Sequence, residues 1–206
     1  MTKFEELHKL EGEMEKDDTL PLKKGATKLV FGTGNTNAEI LCIGEGPGYN
    51  EDMQGEPFVG QAGKLLDRLL VMAGLERKQV FITNVVHHRA PENRDPTPEE
   101  ISAYGKYLDK IIEIINPKII MTLGRFSMAK FLPNVFISGV HGKKYDIYWH
   151  GRDIIVIPMY HPAAALRNGT VMELEKNDFL QLKEKLSKMK EEEKEKIPKS
   201  EQMSLV

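Results

Sequence analysis

The sequence predicts an α/β fold: a three-layer α/β/α sandwich around a central, mostly parallel four-stranded sheet. Three observations carry that prediction. Short apolar runs alternate with helical patterns along the chain. The runs are continuously apolar rather than alternating, which marks parallel strands buried on both faces. The polar clusters also fall directly after these runs, where open parallel sheets bind their ligands.

The elements follow in order. Phe4, Leu7, Leu10 and Met14 recur at helical spacing and predict an amphipathic helix over 3–16. "KLVF" at 28–31 and "EILCI" at 39–43 read as short strands, with Gly32, Gly34 and Asn35 marking the turn between them. Residues 62–74 predict a helix ended by Gly74. "QVFITNVV" at 79–86 reads as a buried strand. Thr97 offers an N-cap, Pro98 the first helical position and Glu100 the far side of a capping box. The helix they begin runs to Asn116 and Pro117. "KIIMTLG" at 118–124 is a further strand, "RFSMAKFL" at 125–132 a short helix and "RDIIVIPMY" at 152–160 the last apolar strand. Residues 172–194 predict a highly charged helix. One domain over 1–195 and a flexible tail over 196–206 complete the expected organisation.

Composition narrows the class. A chain of 206 residues, 40% hydrophobic and 29% charged, suits one soluble globular domain. It has no apolar run of about 18 residues, so no membrane partner is expected. Its first residues lack the apolar centre of a signal peptide. The one cysteine, Cys42, lies in an apolar strand and cannot form an internal disulfide, which points to the cytoplasm. A net charge of −2 leaves nucleic-acid binding to a local basic patch.

The richest loop is "GEGPGYNEDMQGEPFVG", residues 44–60. Gly44 and Gly46 lack the third glycine of a dinucleotide fingerprint, and no Gly-Lys-Ser/Thr follows for a phosphate loop. Glu45, Asn50, Glu51 and Asp52 fit no familiar metal spacing, so no metal is assigned. On residues alone, a solvated surface loop stays open. Asn84 ends a strand, and its amide could simply cap the next loop. His161, before Pro162, could be structural or catalytic. His87, His88, Arg89 and Arg94 form a basic segment, either solvated or in contact with phosphate. Phe58 would be a core residue by default, though it is unusual within a glycine-rich loop.

Four stretches together resemble the uracil-DNA glycosylase superfamily, most of all its family 4. They are "GEGPGYNEDMQGEPFVGQAGKLLDRLL", "ITNVVHHRAPENRDPTPEEI", "IIMTLGRFSMAKFL" and "MYHPAAALRNG". The resemblance covers about residues 17–185. It implies an enzyme that flips uracil out of DNA and hydrolyses its N-glycosidic bond, leaving an abasic site and free uracil. By that likeness Phe58 stacks on the base, Asn84 reads its edge and His161 stabilises charge growing on O2. Glu45 and Glu51 match the acidic positions that orient water or stabilise the sugar. Gly46, Pro47 and Gly48 let the backbone approach the base. Leu166 and Arg167 match the loop that enters DNA, with Arg89, Arg94 and Arg125 as further phosphate contacts. The implied protein is a monomer.

Family 4 also holds a four-iron, four-sulfur cluster on four cysteines. The matching positions here are Asp17, Leu20, His88 and Tyr104. None is a thiol, so no iron–sulfur cluster and no other cofactor is expected. A hydrogen bond between His88 and Tyr104 could tie the loops together instead. Rival readings are a non-catalytic damaged-DNA binder on the same fold, or a preference for another deaminated base such as hypoxanthine.

Overall fold

All five residues of β2, Ile40–Gly44, are buried, which places it in the middle of the sheet. The computed structural model describes residues 1–196; the rest of the expected tail, 197–206, lies outside the described residues. Beside β2 run β3 (Phe81–Asn84) on one side and β4 (Ile119–Leu123) on the other, both parallel to it, and β6 (Arg152–Met159) runs parallel to β4. These are the four parallel strands expected. Two antiparallel edges extend them to six: β1 (Thr33–Gly34) on β3, and β5 (Tyr145–Trp149) on β6.

Both edges differ from expectation. Residues 28–31 form no strand. Val30 and Phe31 are buried, but the segment is tied by isolated bonds, from Val30 N–H to the His87 carbonyl and from the Thr83 hydroxyl to the Phe31 carbonyl. Pairing resumes only at Thr33. β5 was not expected at all. Its residues alternate between partly buried and exposed, unlike the continuous apolar runs of the centre. The turn into β6 places His150 and Gly151 at φ 46° and 87°. β3 is also shorter than 79–86. Arg77–Gln79 form a 3₁₀ turn, while Val85 and Val86 leave the ladder but still donate to the Gly44 and Glu45 carbonyls.

Helices cover both faces. α1 (Lys3–Lys16) and α4 (Pro98–Ile115) pack on one, and both begin with the reciprocal capping box, Thr2 with Glu5 and Thr97 with Glu100. α3 (Gln61–Met72) and α8 (Gly169–Lys196) pack together on the other. Two apolar clusters result, one around Tyr104, Ile111 and Ile120, the other around Leu66, Met121 and Phe179. Four short helices sit at strand ends or in loops: α2 (Tyr49–Gln54), α5 (Arg125–Ala129), α6 (Ile137–Val140) and α7 (Pro162–Ala165). The chain leaves β2 for β3, then crosses back to β4 on the far side. This topological switch opens a crevice at the carboxyl ends of the parallel strands.

Candidate active site at the strand ends

A cavity of about 640 Å³ fills that crevice, a size suited to a small organic ligand. Its walls come from all four parallel strand ends: Glu45 after β2, Asn84 at the end of β3, Gly124 after β4 and His161 after β6.

Asn84 forms the floor. It is 2% exposed, and its Oδ1 has no hydrogen-bond partner among the described residues. Such a group is costly to bury unless a ligand meets it. Gly44 is its register partner on β2. A Cβ at Gly44 would lie 2.4 Å from Asn84 Oδ1 and 2.6 Å from Phe58 Cε2. Only glycine therefore lets the amide and the aromatic ring converge.

Phe58 is buried, and its ring stacks against His161 with centroids 5.6 Å apart. His161 caps α7: its Nδ1 accepts the Ala163 N–H at 3.1 Å. The proton of the neutral ring therefore resides on Nε2. Burial, helped by the charge of Arg167, lowers its pKa to about 4. At neutral pH, His161 is an uncharged donor.

The two acids differ. Burial raises the Glu45 carboxyl above its usual range and nearby Asp95 adds to this, against the Phe126 N–H and the Arg125 charge. Glu51 reaches the cavity from α2, but its Oε1 accepts the Val59 and Gly60 N–H groups at 3.0 and 2.7 Å. It brackets the loop that carries Phe58.

Gly46, Pro47 and Gly48 line the same cavity, as do Arg94, Arg125 and Arg167. Arg94 is held in a two-pronged pair by Glu100, and Arg125 pairs with Asp95. Arg167 makes no ion pair among the described residues. Arg89 lies outside the lining; it bonds Asn93 and sits over the Tyr49 ring. Leu166 ends α7 and is 44% exposed. The sequence reading missed Gly44 as a packing residue, along with Tyr160 and Asp95, which also belong to the site. Tyr160 had a signal in its place directly before His161. Asp95 had none, since it is brought in through space.

A sequence model of the Uracil DNA glycosylase superfamily matches residues 31–187. The chain belongs to that superfamily. It is 47% identical to the Type-4 uracil-DNA glycosylase of Archaeoglobus fulgidus over 169 residues, 79% of this chain and 84% of the relative. The Type-4 uracil-DNA glycosylase of Sulfurisphaera tokodaii is 49% identical over 164 residues, covering 77% and 74% of the two chains. That of Saccharolobus solfataricus is 47% identical over 181 residues, covering 85% and 84%. The superfamily match spans every wall of the cavity.

The positions that the resemblance assigns to cluster cysteines lie apart from the cavity lining. Tyr104 and Leu20 are fully packed in the α1/α4 core, and His88 Nδ1 lies 2.8 Å from the Tyr104 hydroxyl. Asp17 accepts from Lys106 and the Tyr107 hydroxyl at 2.7 and 2.8 Å, which holds its carboxyl far below the usual range. Burial lowers the His88 pKa to about 4, so the hydrogen bond it shares with the Tyr104 hydroxyl is made by a neutral ring. Cys42, the chain's one cysteine, is buried in β2. These residues do not fit a four-thiolate cluster.

Proposed function

We propose that this chain is a monofunctional uracil-DNA glycosylase that works without an iron–sulfur cluster. The observation that carries the reading is Asn84 Oδ1: buried, unpartnered, and set beside the Phe58 ring and a neutral His161. The three groups suit one planar ligand with an N–H beside a carbonyl, which is the edge of uracil. Asn84 Oδ1 accepts from N3–H and its amide donates to O4. Phe58 stacks on the base, and Gly46, Pro47 and Gly48 let the backbone close over it.

The chemistry follows from these roles. The C1′–N1 bond breaks with its electron pair going to N1, and the charge spreads to O2. His161 donates Nε2–H to O2 as that charge grows, a contact worth most in the transition state. Glu45 orients a water on the opposite side of the sugar. The water oxygen bonds to C1′ and its proton passes to the carboxylate, whose raised affinity for protons suits a base. Uracil leaves as an anion and takes a proton from solvent. Glu45 rather than Glu51 has this role, because the Glu51 Oε1 is engaged by two backbone donors. Leu166 enters the DNA as an apolar wedge, and Arg167, Arg125, Arg94 and Arg89 meet phosphates. One domain over 1–195 acts as a monomer in the cytoplasm, a compartment in keeping with the free thiol of Cys42. No described helix is long and apolar enough to cross a membrane.

The deciding experiment offers oligonucleotides carrying uracil, hypoxanthine or xanthine, followed by alkali. Strand scission at uracil is expected. Scission at none would make the chain a binding protein, and scission at another base alone would reassign its substrate. The purified protein is expected to carry no iron and no cluster absorbance; about four irons per chain would refute the cluster-free reading.

A further inference from the structure

Phe58 has a φ of 55°, a left-handed backbone that a bulky residue adopts only when its surroundings enforce it. Three neighbours do so. Gly63, in the first turn of α3, has no Cβ, and one placed there would lie 1.7 Å from the Phe58 carbonyl oxygen. Glu51 holds the next two N–H groups of the loop. The third is Arg77, which lies far along the chain in the turn before β3. Its guanidinium donates to the Pro57 carbonyl at 2.6 Å and to the Phe58 carbonyl at 3.3 Å. Asp67 of α3 fixes the guanidinium in turn, accepting from it at 2.9 Å.

Arg77 is absent from the cavity lining and is 29% exposed in its side chain. It uses the planar fork that distinguishes arginine from lysine, gripping two successive carbonyls at the strained residue. A lysine ammonium is a point charge and cannot span both in that plane. We propose that Arg77 is a positioning residue for base binding: by clamping the Pro57 and Phe58 carbonyls it fixes the plane in which the Phe58 ring meets the base. The inference rests on the proposed stacking role of Phe58. It adds a specific lever, remote in sequence, that sets how well the ring is presented. Asp67 anchors the lever to α3, so the loop, the helix and the turn before β3 form one bracket around the ring.

The test is a double-mutant cycle in single-turnover excision of uracil, with inhibition by free uracil as a second readout. All variants are assayed well below their melting temperatures. Phe58→Leu is expected to slow excision and weaken uracil inhibition by roughly tenfold or more, the scale of base–aromatic stacking. Arg77→Gln should give a smaller loss of the same kind, about fivefold, in both readouts. In the Phe58→Leu background, Arg77→Gln should cost nothing further, because the ring through which it acts is gone. Arg77→Lys should fall between Gln and the natural residue, and it serves as the test if Arg77→Gln does not fold. Equal losses from the Arg77 substitution in both backgrounds would overturn the positioning role. So would an Arg77 variant with unchanged rate and inhibition while Phe58→Leu is impaired. An unimpaired Phe58→Leu would instead remove the stacking reading beneath it.

Discussion

Two polar regions of this molecule are oppositely finished. At the strand ends, Asn84 keeps an acceptor without a partner, and His161 spends only its Nδ1 on the backbone. At the seam where Asp17 and His88 meet α4, the polar groups serve one another: His88 with Tyr104, Asp17 with Lys106 and Tyr107. A satisfied network holds structure together, whereas an unsatisfied group in a cavity holds capacity for a ligand. The contrast separates what this fold needs in order to stand from what it needs in order to act.

The comparison can be broken by substitution, and the largest effect is expected in the cavity. His161→Ala should slow single-turnover excision of uracil by roughly two to three orders of magnitude with little change in melting temperature. A near-normal rate would mean that the site does not stabilise the departing base through this ring. At the seam the effects should invert. Tyr104→Phe leaves His88 Nδ1 buried without its hydrogen-bond partner and should cost about 1–3 kcal/mol of stability. Excision per folded molecule should remain unchanged. Calorimetry and active-site titration together check this, and a lost rate with intact stability would contradict the division.

Protonation sharpens the same contrast. Burial lowers the pKa values of His87, His88 and His161 to about 3, 4 and 4. Unfolded histidines bind protons near pH 6.5, so between there and about 4 the unfolded chain takes up more protons than the folded one. Stability should therefore fall as pH drops through that window. Glu175 works in the opposite direction. Both its oxygens are buried without hydrogen-bond partners among the described residues, and burial raises its pKa to about 8, with Asp178 adding to the shift. The unfolded carboxyl loses its proton near pH 4.5, so this residue costs stability as pH rises from there to about 8. Glu175→Gln should raise the melting temperature more at pH 8 than at pH 5; an equal change at both would show that ionisation is not the cause. Smallest of all, Arg167→Gln should lower the slope of log affinity for DNA against log salt by at most about one, and an unchanged slope would remove its phosphate contact.

Much of this was legible in the sequence because the parallel strands announce themselves. Their residues are buried on both faces, so they read as unbroken apolar runs, and the polar residues at their ends mark the crevice. Asn84 and His161 were found in that way. The edge strand Tyr145–Trp149 was not, since an edge is half exposed and its alternation is easily lost between loops. The loop at 44–60 showed its acids but not their difference. The engagement of Glu51 by the Val59 and Gly60 N–H groups depends on a turn that spacing cannot supply. Arg77 carried no signal of its clamp, because the two loop groups it grips lie 19 and 20 residues away and are backbone carbonyls, which no side-chain pattern records.

The central claim is that the Asn84 amide, whose Oδ1 has no partner among the described residues, reads the uracil edge. Its most direct test is the ratio of uracil to cytosine excision by Asn84→Asp against the natural protein in matched oligonucleotides. Replacing the amide donor by an acceptor should lower the ratio roughly tenfold or more, because cytosine presents an amino group where uracil presents O4. A ratio unchanged by the substitution would contradict the claim.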